Sequence, residues 1–298
     1  MSDRLRTTLL PLLAAFIWGI AFVAQKGNTV GALTFNASRS IVAFVFLCLV
    51  ILAMSKGDLK HMLVGKTPQE TRAIWVGGLC CGAALAGATF LQQSGLDGDT
   101  EAGKAGFLTA MYIVLVPIFG VVLKKKAPLN VWVAVAVAVA GLYLLCVKEG
   151  SEIRPSDLVV LACSLVYALQ IMFIDHYSPH CNGVKLSCVQ FLMCFVLSAI
   201  PALAFEEITL PALSASVWPI LYLGVFSSGV AYTLQIVAQK NSNPAVVSLL
   251  LSMESVFGVL AGALLLGEVL SGREYFGCVL MAIAVVLAQL PERKKCDK

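Results

Sequence analysis

The chain is poor in charge. Only 13% of its 298 residues are Asp, Glu, Lys or Arg while 59% are hydrophobic, and residues 208–239 contain no acidic or basic side chain. A soluble domain carries about a quarter of its residues charged, so the solvent of this chain is largely lipid, in keeping with a mean hydropathy of +0.89. Chemistry-bearing motifs are missing as well. No Gly-x4-Gly-Lys-Ser/Thr loop is present to cradle a nucleotide, which excludes a P-loop motor. His-Glu-x-x-His, Gly-x-Ser and paired intramembrane aspartates are lacking, so an intramembrane enzyme remains only a distant alternative. The adjacent Cys80 and Cys81 have no second pair at zinc spacing, and His61, His176 and His180 fall in expected loops. No metal and no cofactor is expected. The net charge of +4 is explained by basic loops facing anionic lipid, and no nucleic-acid partner is expected.

What is present is a series of apolar runs. A hydrocarbon core of about 30 Å takes about 20 apolar residues per helix and expels ionisable groups to its rims. Counting between charges gives ten runs, at about 7–25, 37–54, 73–92, 104–123, 128–147, 157–174, 184–204, 216–238, 244–266 and 274–290. The expected fold is therefore an all-α integral membrane protein with ten transmembrane helices and both termini on one side. Assigning that side to the cytoplasm puts fifteen of the 21 Lys and Arg inside and leaves Lys26, Arg39, Lys104, Lys148, Arg154 and Arg273 outside, a strong positive-inside asymmetry. The expectation is a multi-pass protein of the cell membrane with cytoplasmic termini. The apolar run after the basic start is long and lacks a clear cleavage site, so it is expected to be the first span. Eight of the ten cysteines fall in spans, and Cys181 and Cys296 face the reducing cytoplasm, so no disulfide framework is expected.

The second half reads as a copy of the first. Trp75 precedes Gln92, and Trp218 precedes Gln235, by the same separation, and one offset of 143 carries Trp75 to Trp218, Leu91 to Leu234, Ala102 to Ala245 and Thr109 to Ser252. Slightly different offsets relate Asn36, Arg39 and Cys48 to Asn182, Lys185 and Cys194, and Trp18 to Tyr167, as loop-length changes would produce. The halves, residues 1–150 and 151–298, hold five spans each. An odd number makes the second copy enter from the opposite face, so the repeats are inverted.

The runs FIWGIAFVAQK at 16–26, FLQQSGLDGDTEAGKAGFLTAMYIVLVPIFG at 90–120 and MESVFGVLAGALLLGEVL at 253–270 resemble motifs of the EamA type of the drug/metabolite transporter superfamily, and the resemblance covers nearly the whole chain. It implies two inverted five-helix repeats around a central cavity and cargo among amino acids, other metabolites, nucleotide sugars, quaternary amines and drugs. The Gly267-Glu268 pair matches a recurring family feature, whereas the corresponding place in the first half holds Lys124, Lys125 and Lys126. The expected activity is secondary-active transport by alternating access, with export favoured by the resemblance. Uptake of a cationic or quaternary amine such as choline is the alternative.

Glu254 lies about ten residues, or 15 Å, into the ninth run. An ionised carboxylate at that depth costs several kcal/mol or more unless it meets water, a partner or a proton. It is either a cation-binding or proton-coupling group, which would make a proton or cation a coupled partner, or a neutral acid bonded to a neighbouring helix. Trp18 and Tyr167 sit near the middles of the first and sixth runs, where with Tyr112 they could stack on a planar solute or hold a cation, about 0.5–2 kcal/mol each. Helix packing is the competing role for each aromatic. Gln92 and Gln235 offer amide donors and acceptors to cargo, or glue between helices. Gln25, Gln170 and Asn36 are further polar candidates. Arg39 reads as a side chain snorkelling to the outer interface, although as a cavity residue it would suit an anionic group, and Lys104 as a rim ion pair with Glu101. Gly78 with Gly82, and Gly258 with Gly262, have the spacing that brings membrane helices close.

Overall fold

In lipid the backbone has no solvent to bond, so each apolar run closes its own hydrogen bonds as a helix. The computed structural model describes residues 3–25, 29–57, 62–98, 100, 102–125, 127–148, 152–240, 242–267 and 269–290. Its long helices are α1 (Asp3–Gln25), α2 (Ala32–Met54), α3 (Pro68–Asp97), α4 (Gly103–Val122), α5 (Leu129–Cys146), α6 (Pro155–Tyr177), α7 (Gly183–Phe205), α8 (Val217–Gln239), α9 (Pro244–Leu265) and α10 (Gly272–Ala288). Among the described residues, eight of these, α2 to α9, are long and apolar enough to cross a membrane, and no strand is present. The apolar stretch of α1, Arg6–Ala21, is shorter.

Local chemistry sets the ends. Thr67 caps α3 by accepting from Glu70 N–H ahead of Pro68, Asn243 caps α9 ahead of Pro244, and Ser271 with Glu274 forms a reciprocal box at α10. The start of α2 is capped from a distance: Glu206, beyond the end of α7, accepts from Leu33 N–H, Thr34 N–H and the Thr34 hydroxyl. Gly267, with φ of 70°, stops α9 in the left-handed region.

Helix α3 outruns its expected bounds at both ends, because the rim turns carry Gln93, Asp97 and Glu70, which an apolarity count leaves out. His176 belongs to the last turn of α6 rather than to a loop. His61, Glu101, Glu268 and Cys296 lie outside the described residues, as does the Gln25 side chain. Two spans expected to be continuous are broken. Within α4 the segments Ala102–Thr109 and Tyr112–Val122 are separate, and within α9 so are Pro244–Leu251 and Glu254–Leu266. Under the 143 offset the two interruptions coincide within one residue. Helix α8 carries a third irregularity, a π-helical stretch at Leu223–Ala231.

Helix α2 packs on α7 and α5 on α10, and both pairs are antiparallel. Along α2, Asn36, Ser40 and Cys48 meet Ser198, Cys194 and Cys188 in descending order. Gly141 faces Met281 while Gly277 faces Leu145, and a Cβ on Gly277 would lie only 2.8 Å from the Gly141 carbonyl oxygen. Gly78 and Gly82 admit Val189 and Met193 of α7 in the same way. Helices α4 and α6 run parallel, tied by Lys104–Asp157 at one end and Lys125–Asp175 at the other.

Candidate functional site

The breaks in α4 and α9 open onto one hollow between the two halves. Its empty space is about 620 Å³ with the open mouth and adjoining solvent included. About 70 Å³ of it is open to the centre of a water molecule, room for several waters. The first half supplies Trp18 and Ala21 from α1, Arg39 from α2, Gln92 from α3, and Thr109 and Tyr112 from either side of the α4 break. The second half supplies Tyr167, Gln170 and Ile171 from α6, Ser227, Tyr232 and Gln235 from α8, and Leu251 and Glu254 from either side of the α9 break. Broken helices expose backbone and place side chains where an unbroken cylinder could not.

The aromatic wall is fixed by specific contacts. The Trp18 indole N–H donates to Ser227 O at 3.2 Å, a carbonyl in the widened turns of α8, and its ring leans on Tyr232 with centroids 4.7 Å apart. The Tyr167 hydroxyl donates to Gln92 Oε1 at 3.5 Å, and Gln92 Nε2 donates to Thr109 Oγ1 at 3.0 Å. That chain joins α6, α3 and the α4 break. Gln170 donates to Gln190 at 3.2 Å, and Gln235 donates to Gln239, which donates on to Ile171 O. The Oε1 atom of Gln235 is buried without a donor.

The charges are arranged differently from the amides. Glu254 is half-buried on the wall and makes no hydrogen bond or ion pair with a described residue. It occupies the first turn of its segment, where the helix dipole favours negative charge. Arg39, instead of reaching to the interface, lines the same hollow at 9% exposure. Asn36 is off the wall, accepting from Arg39 Nε at 3.0 Å and donating to Ser198 Oγ at 2.7 Å. Seven of the eight substrate-site candidates thus meet at one hollow, with Asn36 behind it. Arg39 takes the cavity position that the sequence offered as its second role, while Thr109, Ser227 and Tyr232 went unselected as wall residues in the sequence. The matched serine and threonine of the breaks, Ser252 and Thr109, were visible as a repeat pair without any sign of what they flank.

Lys104 pairs with Asp157, 2.5 Å away and 53 positions on, while its expected partner Glu101 lies outside the described residues. A second hollow of about 470 Å³ lies further along the same helices, lined by Val116, Pro117, Gly120, Lys125, Asp175 and the Ser242–Ala245 turn among others. Between the two hollows Ile113, Met172 and Leu249 are buried in one apolar cluster. Among the described residues no group of His, Cys, Asp and Glu has the geometry to hold a metal ion.

A multi-pass helical bundle with a polar hollow between its halves defines a membrane transporter, and comparison with known proteins narrows the class. The profile of the EamA-like transporter family matches residues 5–147 and again 154–290. An Archaeoglobus fulgidus protein described as an uncharacterized transporter is 32% identical over 292 residues, covering 96% of this chain and 87% of that one. A solved crystal structure shares the fold with a TM-score of 0.78 at 18% identity, over 97% of this chain and 98% of the other. The chain belongs to the EamA-like transporter family.

Proposed function

We propose that the chain is a secondary-active carrier of a small metabolite, amino acid or drug, exposing one central site alternately to each side and working in the export direction. The observation that carries this reading is the hollow walled by both halves, with Glu254 unpaired on it. In this reading the halves, residues 1–150 and 151–298, are inverted repeats of five spans each. Support comes from the double family match, from the antiparallel pairing of α2 with α7 and α5 with α10, and from the coincident breaks in α4 and α9. The basic ends face the cytoplasm of a cell membrane, in line with the asymmetry of Lys and Arg. Transport then requires the apolar layer around Ile113, Met172 and Leu249 to part, joining the central hollow to the one beside Lys125. Glu254 is the proton-coupling candidate, since a carboxylate without a fixed partner can exchange a proton for cargo.

A second reading, uptake of a cationic or quaternary amine, draws on the same carboxylate with Trp18, Tyr112 and Tyr167 around it. Arg39 on the same wall counts against a purely cationic cargo. Purified protein in liposomes tests the carrier reading through solute flux. Saturable uptake accelerated by unlabelled solute on the far side is expected, with a pH dependence that Glu254→Gln abolishes. Flux that rises linearly with concentration, or turnover of lipid or peptide without net flux, overturns it. Unaltered pH dependence in Glu254→Gln removes the coupling role.

A further inference from the structure

Helix α4 is held to α6 by an ion pair at each end, and the two pairs are unlike. Lys104 and Asp157 are both buried, whereas Lys125 is half-exposed while its partner Asp175 is buried. Asp175 sits in the last turn of α6, where the helix dipole disfavours a carboxylate, and among the described residues its one ion pair is with Lys125. The ammonium reaches it through a strained turn. Lys124 takes φ of 60°, a left-handed conformation costly for a residue with a Cβ, and the N–H groups of Lys125 and Lys124 close back on Gly120 O and Val121 O. The segment that this turn ends, Tyr112–Val122, carries Ile113 of the apolar layer and Val116, Pro117 and Gly120 of the second hollow. At its other end the ladder is tightened: Met111 N–H and Ile113 N–H reach back only three residues, to Leu108 O and Ala110 O, the kind of mid-helix turn that marks a hinge. The second half carries the same arrangement of charge with its signs exchanged. The offset of 143 takes Lys124 to Gly267, also left-handed at φ of 70°, and Lys125 to Glu268, while the offset of 149 that relates Trp18 to Tyr167 relates Lys26 to Asp175. Lys26 and Glu268 lie outside the described residues, and the exchange is a fact of the sequence.

We propose that Tyr112–Val122 is a hinged half-helix latched to α6 by Lys125–Asp175, and that releasing the latch swings Ile113 out of the apolar layer and joins the two hollows. A half-exposed pair suits a latch because parting it returns the ammonium to water, whereas parting Lys104–Asp157 strands both charges. The proposal rests on the carrier reading only for the claim that the joined hollows pass cargo.

The test is hydrogen–deuterium exchange of the purified full-length protein, read peptide by peptide. Asp175→Asn and Lys125→Gln should each speed exchange about tenfold across Tyr112–Val122 and around Met172 and Leu249, where water enters, and leave Ala102–Thr109 as it was. The swapped pair Lys125→Glu/Asp175→Lys should restore the slow rates. In the unmodified protein the same peptides should quicken as salt rises from about 0.01 to about 1 M, because a half-exposed pair is screened, and this arm needs no variant to fold. Exchange that rises only beyond Gly120 is fraying of the helix end and overturns the proposal. So does a rise shared by Ala102–Thr109, a swapped pair as fast as the single variants, or rates that neither salt nor substitution moves. Saturable solute flux in liposomes is read separately. The expected exchange without such flux leaves the latch standing and removes the carrier, and saturable flux with unmoved exchange removes the latch and leaves the carrier.

Discussion

Removing the carboxylate of Asp157 should be among the costliest single changes outside the central hollow. It accepts from Lys104 Nζ at 2.5 Å, Thr100 Oγ1 at 3.0 Å and Arg154 N–H at 2.7 Å, while Lys104 also donates to Glu152 O. Lys104 and Asp157 are only 9% and 3% exposed, so Asp157→Ala strands an ammonium that meets no other anion among the described residues. Breaking a buried pair from one side costs about 3–5 kcal/mol, of which about 1 kcal/mol is the lost cap at the start of α6. The double variant Lys104→Met/Asp157→Leu strands no charge and should return to within about 1 kcal/mol of the parent. At roughly 2–4 °C per kcal/mol, Asp157→Ala should lower the unfolding midpoint of the detergent-solubilised protein by about 6–20 °C, and the double variant should recover most of that. Tryptophan fluorescence during heating reads the transition. If each single variant moves the midpoint by less than about 2 °C and the two effects simply add, the pair does not hold α4 to α6 and the reasoning fails.

Two further outcomes follow from packing and burial. A valine at Gly277 must push back the Gly141 carbonyl and Leu145 N–H of α5, 2.8 and 2.9 Å from where its Cβ would sit, whereas at Gly272 a Cβ meets nothing within 4 Å. Gly277→Val should therefore cost at least the upper end of about 1–3 kcal/mol, read as lost monodisperse protein after mild heating, while equal survival of Gly277→Val and Gly272→Val would count against the close crossing. Between α6 and α7, burial pushes the Cys181 thiol up to about 11 even though Lys240 pulls it down. The thiolate is the reactive form, so about one thiol in ten thousand is ionised at pH 7 and maleimide labelling of the Cys181 peptide should rise about tenfold per pH unit from there. Labelling at the rate of a free cysteine at pH 7 would contradict it.

The helices were legible because lipid imposes one rule on every residue of a span, and a count of charges applies that rule directly. The Trp75–Gln92 spacing recurs as Trp218–Gln235 across the two stretches that the family profile matches, residues 5–147 and 154–290. Neither signal reaches the breaks. Ala110 and Met111 carry no glycine or proline to mark an interruption, and the pull of Ser252 Oγ on Leu249 O is a contact that appears only once the helix is built. Arg39 carried two readings, and its environment, which comes from elsewhere in the chain, decides for the cavity: a lone arginine near a helix end looks like a snorkeller until the neighbouring helices close around it. Lys104, with an acid three positions before it in the sequence, meets one 53 positions on. Distance along the chain carries little information about ion pairs between helices.

The nine-residue π-helical stretch at Leu223–Ala231 has no counterpart in residues 80–88 of α3, which the 143 offset aligns with it. In the proposed carrier, two identical inverted halves would make each pose of an exchange the two-fold image of the other and give both the same energy. A swelling present on one side alone lifts that degeneracy: one pose lets the loosened backbone relax while its reflection must stretch a taut rod to the same shape. In the proposed carrier the two poses then differ in energy, and the forward and return strokes need not take equal time.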